Sequence, residues 1–263
     1  MTKRLLFILS VLIFLIASHN TNAQIIKGEA FLGLNMSQVD GDEVVGFKKF
    51  GFYGGLGAIV PIYKKNNFTF EGCIEVVFNQ KGSHQRQQYI DNGDGKTGEY
   101  DLFMNYAEVP VMLYFTDKQV TSFGLGFSYG RLVGLREYEH GVRTNVTVNS
   151  GEYNPNDYSI LAEVKLRLYE RLKLGVRYQY SLAKIRTRDF TYIDDSYTWT
   201  RDQYNNLFTV RLIWVFNENR DEFFREEYRF DGDPKFHRKA IERKLKKLRK
   251  KEAREERREN MNN

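Results

Sequence analysis

The chain has 263 residues, with 40 Lys+Arg against 34 Asp+Glu for a net charge of +6, and it is 15% aromatic, with 21 Gly, four Pro and one Cys. A single cysteine excludes an intramolecular disulfide framework, a zinc ribbon and a CxxC redox centre. The abundance of Tyr, Phe and Gly suits β-structure better than a helical bundle, and with only one segment apolar enough for a membrane helix, a polytopic helical membrane protein is excluded too.

In chain order, Lys3 and Arg4 precede the apolar run Leu5 to Ala17, and small and polar residues lead to Thr21-Asn22-Ala23. This is the pattern of a signal peptide, residues 1–23, cut after Ala23. The run is short for a membrane anchor, and no cysteine follows it as a lipoprotein requires. Charge then divides the rest. Residues 235–263 carry 13 Lys+Arg against five Glu, which leaves residues 24–234 with a net −4. An acidic body followed by a basic tail is expected, not a uniformly basic protein.

The body, residues 24–216, alternates with a period of two, the mark of strands with one apolar face. The first two segments, near 25–36 and 48–61, are glycine-rich and alternate loosely. In the third, Phe70, Ile74, Val76 and Phe78 oppose Glu71, Cys73, Glu75 and Asn79. In the fourth, Ala107, Val109, Val111, Leu113 and Phe115 oppose Glu108, Pro110, Met112 and Tyr114. In the fifth, Phe123, Leu125, Phe127 and Tyr129 oppose Ser122, Gly124, Gly126, Ser128 and Gly130. The sixth sets Ile160, Ala162, Val164, Leu166 and Leu168 against Glu163, Lys165 and Arg167. The seventh sets Leu174, Val176, Tyr178 and Tyr180 against Lys173, Gly175, Arg177 and Gln179. The eighth sets Phe208, Val210, Leu212, Trp214 and Phe216 against Thr209 and Arg211.

Connections near 62–67, 116–119 and 169–172 are short, while those near 37–47, 85–100, 139–156 and 189–201 are long and polar. Strict alternation of short and long connections predicts an all-β, eight-stranded antiparallel up-and-down transmembrane β-barrel. A soluble secreted ligand-binding barrel, the alternative, would turn the apolar face inward. Phe68, Phe70, Phe115, Tyr169, Trp214 and Phe216 gather near the short-turn rim like an interfacial girdle, which favours the membrane reading. The polar faces then line the lumen, and Glu71, Glu75, Glu108, Glu163, Lys165, Arg167, Arg177 and Arg211 are predicted to form a structural charge network there. Paired carboxylates and guanidiniums satisfy one another where water is scarce, and eight strands leave a lumen that side chains can fill.

These segments resemble the PorT-like outer-membrane β-barrel family of Bacteroidota. The resemblance rests on Gly33-Leu34-Asn35-Met36-Ser37, Gly51-Phe52-Tyr53-Gly54-Gly55, Phe70-Glu71 with Phe78-Asn79-Gln80-Lys81-Gly82, Asn105-Tyr106-Ala107-Glu108-Val109-Pro110, and Gly175 to Leu182. It covers roughly 24–216. It implies the fold and the bacterial outer membrane, and the family takes its name from a component of the type IX secretion and gliding machinery. The chain departs from many barrels in continuing past Phe216 for residues 217–263.

In that tail Asp233-Pro234 reads as an N-cap and first helical residue, and a charged helix is predicted over 234–253. Ile241, Leu245 and Leu248 form a narrow contact stripe. Export with both termini in the periplasm makes peptidoglycan or a periplasmic protein the expected partner of the tail, beside outer-membrane lipid, and argues against nucleic acid.

Three patterns look chemical. Gly126-Phe127-Ser128-Tyr129-Gly130 matches G-x-S-x-G but lies within a strand and lacks the strand-to-helix turn that presents a nucleophile. Asp91-Asn92-Gly93-Asp94-Gly95 lacks the spaced Glu of a calcium loop and reads as a turn. Cys73 reads as a lumen filler. No catalytic, cofactor-binding or metal residue is assigned. The expectation is a non-enzymatic envelope protein with a plugged lumen, with a lipid-modifying enzyme as the alternative.

Overall fold

The computed structural model describes residues 26–218 except positions 45, 66–67, 91–92, 94 and 192–196. The leader 1–23, the predicted tail helix with Ile241, Leu245 and Leu248, and Asp91, Asn92 and Asp94 of the calcium-like turn lie outside the described residues.

The described chain runs through β1 (Lys27–Asp40), β2 (Lys49–Lys65), β3 (Phe68–Gln85), β4 (Tyr100–Asp117), β5 (Thr121–Glu139), β6 (Val142–Arg143), β7 (Asn156–Tyr169), β8 (Leu172–Ser181), β9 (Arg186–Thr191) and β10 (Thr198–Phe216). Each main strand pairs antiparallel with the next, and β10 pairs back onto β1 from Gly28↔Phe216 to Asp40↔Tyr204. Eight strands therefore close. The two-residue β6 is an annex of β5, and β9 pairs only with the leading part of β10. Closure meets the demand of lipid, which offers no hydrogen bonds to a free sheet edge.

Closure is staggered. A path of paired residues from Gly28 through Ala58, Ile74, Val111, Phe127, Ile160, Tyr180 and Asn206 returns to β1 at Gln38. A displacement of ten positions along β1 requires tilted strands, of roughly 35–45°. Lys65 and Phe68, where β2 ends and β3 begins, and the connections at 118–120 and 170–171 lie at one end with both ends of the described chain. The long connections lie at the other.

Side-chain direction follows the alternation. Leu125 is 70% exposed on the outside, while Glu163 on neighbouring β7 is 3% exposed inside. Phe70, Val76, Val111, Leu113, Val176, Val210 and Leu212 all face outward. This is the reverse of a soluble ligand-binding barrel. Phe68 and Phe115 stack at 5.2 Å near the short-turn rim, and Tyr129–Tyr158 (5.5 Å) and Tyr178–Phe208 (4.9 Å) pair on the outer face further along the strands.

The long-loop end differs from the reading of the sequence. The connection expected near 189–201 is largely a hairpin, β9–β10, that extends beyond the closed sheet. Beneath it the interior is largely apolar, around one buried ion pair, Glu137 with Arg186 at 2.6 Å, that Tyr100 and Tyr153 hydrogen-bond. Tyr100, Leu102, Met104, Tyr106, Leu132 and Leu135 point inward from β4 and β5 and pack with Val39, Val44, Tyr153 and Ile185. The physical reason is solvent: strand extensions that stand clear of lipid obey the rule of water-soluble sheets, with apolar groups inside. Complete burial of a side chain such as Ile185 contributes about 1.5–3 kcal/mol.

Candidate functional site

Alternation along β3, β7, β8 and β10 carries Glu75, Glu163, Arg177 and Arg211 to the same level of the lumen, where all four side chains are fully buried. Arg177 holds Glu75 in a bidentate pair, Nη1 to Oε2 and Nη2 to Oε1 both at 2.8 Å, and donates Nη2 to Glu163 Oε2 at 2.6 Å. Arg211 donates Nε to Glu163 Oε1 at 2.7 Å and Nη2 to Glu75 Oε1 at 2.9 Å. Tyr114 donates its hydroxyl to Glu163 at 2.5 Å, and Tyr53 accepts from Arg177 at 2.6 Å. Two anions and two cations make the group neutral, and the charge-assisted bonds offset the cost of taking four charges out of water.

Glycines make the room. A Cβ on Gly175 would stand 2.6 Å from Glu163 Oε1, and one on Gly124 would strike the Tyr114 ring. Either would push a member out of the quartet.

Further clusters lie on both sides. Toward the long loops, Lys81 bridges Glu108 at 2.6 Å and Asp157 at 2.8 Å. Asn79 donates to Glu108, Ser181 and Asn205 donate to Asp157, and Asn35 links Asn79 with Thr209. Toward the short turns, Lys165 holds Glu29 at 3.0 Å. At that mouth Arg167 forms a bidentate pair with Glu218 at 2.6 and 2.8 Å, and Lys27 reaches both Glu218 and Glu71. Glu218 follows the last strand. Burial alone would raise its pKa, but the hydrogen bond from Arg167 and the charges of Lys173, Arg167 and Lys27 hold it down at about 2.

All eight charges singled out in the sequence face the lumen. Glu75, Glu163, Arg177 and Arg211 meet in one group, while Glu108, Lys165, Glu71 and Arg167 belong to the flanking clusters. The sequence reading missed Lys27, Glu29, Lys81, Asp157 and Glu218. For Lys81 and Asp157 the signal was present, because the inward alternation of β3 and β7 continues through both. Glu29 sits in loosely alternating β1. Glu218 lies beyond the strand pattern, and only the fold brings it to Arg167.

The look-alike motifs are separated from one another. Ser128 faces inward at 4% exposure, mid-strand and opposite Pro110 and Ser159. His84 pairs with Asp101 at 3.3 Å, and His140 accepts from Gly98 N–H, both at the long-loop rim. Cys73 is buried beside Glu29 and Glu75, and these three could each offer a ligand atom to one ion. Lys165 already holds Glu29, while Arg177 and Arg211 hold Glu75, so the donors are committed to cations of the chain itself.

A closed sheet with an apolar exterior and an ionic interior defines a membrane-spanning β-barrel. Residues 22–186 match the family of the outer membrane protein beta-barrel domain, and the chain belongs to that family. Its place is accordingly the bacterial outer membrane. Among solved structures it is similar to Ail, the attachment invasion locus protein of Yersinia pestis, at 12% identity and a TM-score of 0.37 over 73% of this chain and 99% of that one. It is also similar to a major outer membrane protein from Thermus thermophilus (10%, TM-score 0.41, 73% and 99%) and to OprG from Pseudomonas aeruginosa (10%, TM-score 0.29, 73% and 95%). No curated protein matches the chain.

Proposed function

We propose that this barrel is a non-enzymatic, structural or accessory protein of the cell envelope whose lumen is sealed, not a diffusion pore. Both chain ends lie on the periplasmic side, and the work is done at the two rims. The quartet of Glu75, Glu163, Arg177 and Arg211 is the observation that carries this reading. It crosses the middle of the lumen with every charge paired, and the apolar cluster above it closes the long-loop end.

The PorT-like resemblance makes protein secretion of type IX the machine this component serves. The basic tail extends the assignment, with peptidoglycan or a periplasmic protein as its partner and Ile241, Leu245 and Leu248 as the contact stripe. Outer-membrane lipid is the partner of the barrel wall, where an apolar groove of about 910 Å³ beside Leu125, Ala162 and Val176 suits acyl chains.

Planar-bilayer recording of the purified protein tests the sealed lumen. No steady conductance is expected from the wild type. Large, stable channels from the wild type would overturn the reading.

A further inference from the structure

The outer face of the barrel changes character along β5. Phe123, Leu125, Phe127 and Tyr129 face outward, and the next outward residue is Arg131. From Thr121 at the short-turn end to Arg131 the strand advances ten positions. That is about 33 Å along the strand and, at a tilt of about 40°, about 25 Å along the barrel axis. The apolar band of a membrane barrel is also about 25 Å tall. Arg131 therefore stands at the edge of the hydrocarbon, beside the Tyr129–Tyr158 pair, and the wall beyond it lies at the level of lipid headgroups.

Two more arginines continue this wall. Arg136 follows on β5, and Arg143 on β6 lies opposite Tyr138. All three are exposed, and none makes an ion pair among the described residues. Arg131 donates Nη1 to Asn156 Oδ1 at 2.8 Å and keeps its other donors open. The Arg136 guanidinium lies 5.2 Å from the ring centre of Phe103, whose other neighbour is the Tyr138 ring at 6.2 Å. The acids nearby are already taken. Asp101 is held by Lys49 at 2.5 Å and His84 at 3.3 Å, while Glu137 and Glu139 turn to Arg186 and Arg188. The wall formed by β1 and β10 differs: there Asp40 accepts from Gln38 and Asn206, and the cations beyond, Lys184 and Arg201, each hold an acid. Unpaired positive charge is thus concentrated on one side of the barrel.

Guanidiniums bind phosphate oxygens through paired N–H donors. We propose that Arg131, Arg136 and Arg143 bind the phosphate groups of a phosphorylated glycolipid in the outer leaflet. This rests on the reading that the long loops lie outside the cell. Spacing favours a glycolipid over a phospholipid. Arg131 and Arg136 stand roughly 15 Å apart along β5, so one phosphodiester next to its acyl chains meets Arg131 alone, whereas a sugar headgroup with two phosphates spans both.

Native mass spectrometry of the full chain in detergent, titrated with diphosphorylated lipid A, tests this. Wild type should retain the lipid. The triple substitution Arg131→Gln, Arg136→Gln and Arg143→Gln should weaken retention at least tenfold, and Arg136→Gln alone severalfold. Dephosphorylated lipid A and phosphatidylglycerol should each bind wild type at least tenfold more weakly than the diphosphorylated lipid. The control, Lys64→Gln with Lys65→Gln and Lys118→Gln, removes as many charges from the short-turn rim and should leave binding unchanged. Equal binding by wild type and the arginine variants, equal binding of phosphorylated and dephosphorylated lipid, or an equal loss in both triple variants would overturn the proposal. Orientation is read separately. Arg143→Cys should be labelled by a membrane-impermeant maleimide on intact cells, since Cys73 is buried. Labelling only after lysis would overturn the assignment to the outer leaflet even where lipid A binds in detergent.

Discussion

Arg177→Ala should lower the unfolding free energy of the lipid-embedded barrel by about 3–5 kcal/mol, read from urea-dependent loss of the folded band on unheated gels. The magnitude comes from what is left behind. Arg177 supplies the two shortest bonds to Glu75 and two more to Glu163. Without it two carboxylates share one arginine in a space closed to water. The contrasting experiment is the double substitution Glu75→Gln with Arg177→Gln. It keeps polar groups in place and leaves Arg211 with Glu163 as a neutral pair at 2.7 Å. The double variant should be less destabilised than Arg177→Ala although it alters two members of the quartet. If it lost more than the single variant, the cost would lie in packing, not in an unpaired charge.

Leu125→Arg should cost about 2–4 kcal/mol in lipid, the value for a cation near the midplane of the outer face. Leu125 lies outward on β5 between Phe123 and Tyr129, with Ala162 and Leu113 as its cross-strand partners, so a charge there has only acyl chains around it. The control is Thr187→Arg on the exposed face of the β9–β10 hairpin, where the change should stay within about 0.5 kcal/mol. Equal costs at the two sites would mean that Leu125 does not face lipid. A cost confined to Leu125 in bilayers, and much reduced in aqueous amphiphilic polymer, would identify lipid as the cause.

The barrel was legible because a period of two survives in most of its long strands, the glycine-rich β1 and β2 least. From β3 to β10 the outward series, such as Ile160 to Leu168 and Phe208 to Phe216, could be read without knowledge of the partners. The charge network was legible as a set of inward residues, since alternation fixes direction. Who pairs with whom was not. Arg177 meets Glu75 across 102 positions of sequence and Lys165 meets Glu29 across 136, and only closure and stagger bring such residues to one level.

The long-loop end was least legible. There the environment changes from lipid to water while the strands continue, so the meaning of an inward apolar residue reverses. Leu102, Met104 and Tyr106 occupy the same inward register of β4 as Glu108, and no local pattern marks the transition.

The central claim is that apolar side chains face lipid and ionised ones face the lumen. The chain has two tryptophans, which makes a direct measurement possible. Trp214 lies on the outer face of β10, whereas Trp199 lies on the β9–β10 hairpin and donates Nε1–H to Glu43 at 3.2 Å. Fluorescence of Trp199→Phe and Trp214→Phe variants should be recorded in bilayers of acyl-brominated phospholipid and again with aqueous iodide. Trp214 should be quenched strongly by the brominated chains and little by iodide, and Trp199 should show the opposite. Iodide quenching of Trp214 without bromine quenching would contradict the account.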